Sequence, residues 1–442
     1  MPVKTWDVNH RYVWQLAWPM IVSNLSTPML GLVDTAILGH LPQADYLAAV
    51  ALGAALVTFV FWSFGFLRMG TTSLVARAVG AQDTPRVRQI FWRSVEIALV
   101  LSLLLYALQW WLLPSLLAVM AEPSPVRDLA LSYCQIRMLA GPATLFNYVL
   151  VGWFVGRQNT LLPLALMLVL NCANIVFDVI LVWWLGWGSD GAAWASVAAE
   201  YLSAGVGLII VGRWGIFAVV PGGKKLGRWR QIKELLAING HLFVRTAALL
   251  SVTLFFTVQG NRLGVNVVAA NAILLQLVGM ISYGLDGYAH AAEALVGRAT
   301  GADNRPLFMK AVKYTAIWSA ITALMISALL WLLGSQTLSW FTNIAEVAAT
   351  AEQYYPWLVA FPLASAAAYH LDGVYLGWGR ADAMQITMLM SALGVFFPMW
   401  IALASWQNTG LWLAFVAFNA SRGVFLASYF TWQVKKGNIL RK

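Results

Sequence analysis

The feature that most constrains this 442-residue chain is a succession of apolar runs, each of about 18 residues or more, following one another from end to end. A run of that length crosses a bilayer as a helix, because lipid offers no hydrogen-bond partner to an open backbone. Twelve spans are predicted, over 13–39, 47–70, 90–113, 130–156, 161–186, 190–212, 238–263, 267–292, 308–334, 353–378, 383–405 and 408–433. With 60% of residues hydrophobic and 10% charged, there is too little charge to cover a water-facing surface of this size. The 23 Trp, 21 Phe and 14 Tyr suit interfacial aromatic belts. The expectation is an all-α polytopic membrane protein, not two or three soluble domains.

The formal charge of +10 does not point to nucleic acid, because the charges sit in short stretches between apolar blocks. Of the 28 Lys and Arg, only Arg127 and Arg262 fall in odd-numbered loops or at their edge. Arg68, Arg137, Arg245 and Arg422 lie deeper inside predicted spans, and the rest occupy the N-terminus, the even-numbered loops with the first turns of the spans that follow them, and the C-terminus. That asymmetry places both termini and the longest polar break, 213–237, in the cytoplasm. The N-terminus carries no small-residue cleavage site after its first apolar run, so no removable signal peptide is expected. Cys134 and Cys172 fall in apolar segments without a CxxC spacing and read as packing residues.

The chain repeats itself at an offset of 221, half its length. Leu74-Val-Ala-Arg-Ala-Val-Gly-Ala81 after the second span matches Leu295-Val-Gly-Arg-Ala-Thr-Gly-Ala302 after the eighth in six of eight places. The same offset carries Gly152 and Gly156 onto Gly373 and Gly377, each a GxxxG pair that admits a neighbouring backbone. Pro142 and Pro362 correspond to within one residue. The predicted organisation is an N-lobe (1–212), a cytoplasmic linker (213–237) and a C-lobe (238–442). Six spans per half make the lobes pseudo-symmetric about an axis along the membrane normal, with a substrate cavity expected between them.

Acids inside spans are costly in hydrocarbon and are kept for function or pairing. Asp34 in the first span and Asp178 in the fifth lie ~31 Å and ~26 Å from the cytoplasmic ends of their helices, at 1.5 Å per residue. Ser23 and Thr27 share the face of Asp34, and Asn171 and Asn174 that of Asp178. Such stripes share hydrogen bonds with a carboxylate that exchanges a proton, or form a structural network locking the two helices together. Pro19 and Pro28 make the first helix able to bend, as a packing kink or as a hinge. In the second half Asp286, Glu293 and Asp372 read as a gate, an ion site or partners for Arg68, Arg245 or Arg422. Glu200 and Arg137 read the same way. His290 and His370 belong to no spaced metal-ligand set, so they read as packing residues and no metal site is expected.

Gly31-Leu-Val-Asp34-Thr-Ala-Ile-Leu-Gly39-His40 resembles the first-helix motif of the multidrug and toxic compound extrusion (MATE) transporters, in their DinF-like branch. Arg77-Ala-Val-Gly80-Ala81-Gln-Asp83, the pair Asn174 and Asp178, Leu285-Asp286-Gly287 and Leu371-Asp372-Gly373 also look like this branch. The resemblance covers essentially the whole chain. It implies twelve transmembrane helices in two six-helix lobes, and a proton-coupling site at Asp34 and Asp178 with Asn174, Tyr133 and Ser196 beside them. It further implies a monomer in a bacterial cytoplasmic membrane that binds amphipathic, cationic organic compounds and no cofactor. The coupling ion it implies is H+, with Na+ left open because the family also includes sodium-coupled members.

Other classes fit less well. A major-facilitator protein carries a more charged loop after its second helix, and a lipid-linked saccharide flippase needs extra helices and a more basic cavity. No P-loop, H-E-x-x-H or G-x-S-x-G motif occurs, so neither self-energised transport nor hydrolysis is expected. A lipid-modifying enzyme lacks its catalytic constellation, and the duplication with buried carboxylates speaks against a receptor or structural protein.

Overall fold

The computed structural model describes residues 7–39, 44–217 and 228–440; for residues 27–36, 39, 44, 228, 230, 231 and 335 it describes the backbone alone. The described chain is helical almost throughout. Its α-helices are α1 His10–Gly39, α2 Ala44–Trp62, α3 Phe66–Gly80, α4 Thr84–Met120, α5 Pro125–Met138, α6 Gly141–Gly156, α7 Leu161–Asp178, α8 Gly188–Arg213, α9 Arg228–Arg262, α10 Val265–Gly301, α11 Arg305–Leu333, α12 Ala345–Trp378, α13 Ala381–Ser391, α14 Phe397–Ala402 and α15 Gln407–Lys435. Among the described residues nine helices are long and apolar enough to cross a membrane, or ten when the bent pair α5 and α6 counts as one span. The twelve predicted spans are consistent with this. Trp184, Trp229, Trp331 and Trp340 stand more than 70% exposed near helix ends, as an interfacial belt requires.

Two predicted spans are interrupted by a turn or a sharp bend. The second is broken at Ser63–Gly65 between α2 and α3. The fourth bends by 53° between α5 and α6, where Pro142 opens the new helix and so has no internal hydrogen bond to lose. Pro362, its counterpart, sits inside an unbroken α12.

The repeat is physical as well as textual. Gln82 and Asp303, 221 apart, both take positive φ, 56° and 51°. The next residues, Asp83 and Asn304, cap α4 and α11 by accepting from Arg86 N at 2.9 Å and Leu307 N at 3.0 Å. The glycine pairs meet matching neighbours. A Cβ on Gly152 would stand 2.5 Å from the Arg68 carbonyl oxygen, and one on Gly373 would collide with that of Ala289. Gly156 lies against Thr72 and Val75, and Gly377 against Glu293 and Val296, each again 221 apart. Gly373→Leu should therefore lower the thermal midpoint of the detergent-solubilised protein, since overpacking costs about 1–3 kcal/mol or more. Gly279→Ala, at a site with open space, should not. Equal midpoints would show that the close approach carries no stability.

The chain divides into two compact units: Met1–Ile21, Val79–Gln82 and Ala237–Lys442 form one, and Val22–Ala78 with Asp83–Leu236 the other. The helices α1 and α9 pass from one unit to the other, and α3 does so with its last two residues. The first turns of α1 belong to the unit containing α10 and α11. There Asp7 pairs with Lys310 at 2.6 Å, His10 stacks on Tyr314, and Gly287 accepts Ala17 and Ile21 of α1. Reciprocally, the start of α9 belongs to the other unit, where Glu234 pairs with Arg86 of α4. Part of the expected linker, 228–237, is therefore helix.

The Asp7–Lys310 pair gives a pH test. Its hydrogen bond to Lys310 holds the Asp7 carboxyl below the usual range. Asp7 contributes stability above the ordinary carboxylate pKa, lost as pH falls through its lowered value. Hydrogen exchange of residues 10–16 should be slow above that range, and faster below it or in Lys310→Ala. Unchanged exchange would remove the pair from any role in holding α1.

Inside the second-half unit, Asn271 and Asn408 exchange amide hydrogen bonds of 2.8 and 3.0 Å while Trp412 Nε1 donates to Asn271 Oδ1 at 2.9 Å. This polar clasp sits within a core of Phe256, Leu274, Leu411 and Phe415. Cys134 is buried with its Sγ on the Gly53 carbonyl, but Cys172 is exposed, which corrects the packing role expected for it: its position on α7 faces away from neighbouring helices.

Candidate functional site

The polar faces predicted on the first and fifth spans meet. Asn171 Nδ2 on α7 donates to the Ser26 carbonyl on α1 at 3.4 Å, and Ser23 is buried one turn earlier. Three residues further along α7, Asn174 Nδ2 donates to Asp178 Oδ2 at 2.8 Å, and both side chains are fully buried. The Asn174 Oδ1 atom is also buried and has no donor among the described residues. That amide can therefore serve either protonation state of its neighbour, donating through Nδ2 to a carboxylate or accepting through Oδ1 from an acid. Directly after Asp178 the helix widens into a π-helical segment, Val179–Trp184. Such segments recur at functional sites, and no sequence signal announced this one.

Asp34, Thr27 and Pro28 lie in the part of α1 whose backbone alone is described. That backbone is helical without interruption from His10 to Gly39. Pro19 is buried in the same helix, two residues before the boundary between the units. Tyr133 is buried with its ring on Gly53 of α2, where a Cβ would stand 2.6 Å from Cδ1. Ser196 is buried on α8, which packs against both α5 and α7. Of the five residues of the expected proton site, the structure brings Asn174 and Asp178 into contact.

The second-half acids divide. Asp372 on α12 accepts from Arg245 Nη2 on α9 and, at 2.7 Å, from Arg422 Nη2 on α15; all three residues are buried. Arg422 also donates to Asn419 Oδ1 at 3.0 Å. Pairing, one of the three expected roles, is thus what the geometry shows for Asp372. Two guanidinium groups on one carboxylate leave it little attraction for a further cation. Glu293 is buried with its Oε2 3.7 Å from His290 Nδ1, and Asp286 acts electrostatically on Tyr283 and Tyr369. His370 bonds to Thr315 at 2.9 Å. Hydropathy could not reveal Asn147, whose Nδ2 donates to Glu200 Oε2 at 2.7 Å; only its placement on the buried face of α6 marks it.

A duplicated helical membrane protein with a buried carboxylate–amide pair is the architecture of a secondary transporter. The chain belongs to the MatE family, the MATE multidrug efflux transporters: the MatE family model matches residues 19–180 and again 242–401, once in each half. It is 36% identical over 418 residues to the DNA damage-inducible protein F of Escherichia coli (strain K12), covering 94% of this chain and 91% of that one. It is 24% identical over 428 residues to a probable multidrug resistance protein NorM of Bacillus cereus (strain ATCC 10987 / NRS 248), covering 93% and 92% of the two chains. A crystal structure of the Vibrio cholerae MATE transporter VcmN shares the fold, with a TM-score of 0.86 at 20% identity over 98% of each chain. This is a family of multi-pass transporters, not of enzymes.

Proposed function

We propose that the protein exports amphipathic, cationic organic compounds in exchange for protons, by alternating access, with the proton bound at Asp34 and Asp178 in the first-half lobe. The observation that carries this reading is the buried Asp178–Asn174 pair, whose amide satisfies the carboxyl in either protonation state. The polar face it belongs to touches α1, the helix that carries Asp34. Neutralising Asp34 removes a charge that holds α1 against α7, and the helix bends in the stretch between Pro19 and Pro28, where it passes from one unit to the other. Proton and cargo then exclude one another because one site cannot favour a cation and a neutralised carboxyl equally. Asn174, Tyr133 and Ser196 position the two acids. Sodium coupling through the second-half acids is disfavoured by the double engagement of Asp372.

The protein sits in the bacterial cytoplasmic membrane as a monomer, with both termini and residues 213–237 on the cytoplasmic side and lobes of 1–212 and 238–442. Two measurements test this. Cells expressing the protein should accumulate less ethidium than cells carrying an empty vector, and equal accumulation would remove drug export. A cysteine placed at Gly223 should resist an impermeant thiol reagent in whole cells. Labelling as strong as at a cysteine replacing Asp190 would invert the topology.

A further inference from the structure

Two turns inward from Asp178 lies a second acid, half-buried and likewise bonded to an asparagine. Ser203 Oγ on α8 donates to the Leu166 carbonyl on α7 at 3.1 Å, and Gly191 packs against Leu181. The two helices therefore run antiparallel in a known register, which puts Glu200 roughly 10 Å further along the membrane normal than Asp178 at 1.5 Å per residue. Glu200 follows Ser196 by one turn of α8, and Arg137 follows Tyr133 by one turn of α5.

We propose that Glu200 is a second proton-binding group of this lobe, an inward station that exchanges its proton with the Asp34–Asp178 site; this rests on the proton-exchange reading above. Its partner is again an asparagine. Asn147 Nδ2 on α6 donates to Glu200 Oε2 at 2.7 Å and to the Glu200 carbonyl at 3.2 Å, while Asn147 Oδ1 is buried without a donor among the described residues. A protonated Glu200 supplies that missing donor once the amide turns over, so both charge states are satisfied in place. Arg137 from α5 acts on Glu200 electrostatically but forms no ion pair with it among the described residues. Arg137 Nε and Nη1 are buried and lack hydrogen-bond partners there. A Glu kept permanently ionised for structure would be expected in direct contact with that guanidinium, as Asp372 is with its two.

The other groups facing this level are few. Thr144 and Tyr148 come from α6, and Arg68 of α3 acts on Tyr148. Further out, α7 carries Asp178 and α8 Asp190; Cys172 of α7 is exposed, Tyr201 follows Glu200 on α8, and α2 has no ionisable residue beyond Asp45 and Tyr46 in its first turn.

The test is proton release from the purified full-length protein in weakly buffered detergent when rhodamine 6G binds. Glu200→Gln keeps the acceptor for Asn147 and should fold, yet it should release fewer protons per dye than the unmodified protein. Asp34→Asn combined with Asp178→Asn should keep the remainder, and the variant lacking all three acids should release none. Arg137→Gln should move the release profile to higher pH, which a packing role alone would not do. A Glu200→Gln protein with unchanged proton yield and pH profile overturns the proposal while leaving the Asp34 site standing. If the unmodified protein releases no protons, proton exchange itself fails and the proposal falls with it.

Discussion

Proton-driven export is expected to fall to the level of membranes lacking the protein when Asp34 is replaced by asparagine, with the variant still inserted and folded. Asparagine has the shape and hydrogen-bonding capacity of the protonated acid, so it locks α1 in the state that follows proton uptake. Asp178→Asn should abolish export likewise or displace its pH optimum, because two neighbouring carboxyls titrate as a pair. The Asp178 side chain is fully buried and accepts from Asn174, so the substituted amide must reorganise that contact without opening a cavity. Expression matched by immunoblot and proton-driven dye uptake into everted vesicles are the measurements. Efflux at the unmodified rate in Asp34→Asn returns the residue to a packing role.

The second large effect is on stability. Asp372→Ala leaves Arg245 and Arg422, both buried, without their shared counter-ion. Breaking such a cluster from one side costs about 3–5 kcal/mol, because the remaining charges stay desolvated. The variant should therefore show a strongly lowered thermal midpoint in detergent or fail to accumulate. Replacing the whole cluster, Arg245→Met with Asp372→Leu and Arg422→Met, should restore much of the loss, since no charge is then left unpaired. An Asp372→Ala protein as stable as the parent would mean that water or Asp286 satisfies the two guanidinium groups instead.

What the sequence made legible follows from one-dimensional physics. Span positions, the 221-residue repeat and the glycine pairs are written in hydropathy and spacing, and Gly373 against Ala289 realises what Gly152 against Arg68 does in the first half. The polar faces of α1 and α7 were legible from helical period, and Asn171 does reach Ser26. What stayed hidden depends on contacts distant in sequence. Pro142 and Pro362 are equivalent signals, yet only the first opens a new helix. The passage of α1 and α9 between units has no composition signature, because Asp7–Lys310 and Arg86–Glu234 join residues far apart in the chain. Charge alone left Asp372 with several partners to choose from, and the structure engages two. The π-helical turn after Asp178 is a backbone choice that its apolar residues, Val179 to Trp184, do not announce.

The coupling ion decides the account. Everted vesicles containing the unmodified protein, supplied with external ethidium as transported dye, can be given a proton gradient without sodium or a sodium gradient with protons clamped by an ionophore. The proton gradient alone should sustain uptake into the vesicles, and the sodium gradient alone should give none. Uptake driven by sodium with the proton gradient collapsed would contradict proton exchange at Asp34 and Asp178.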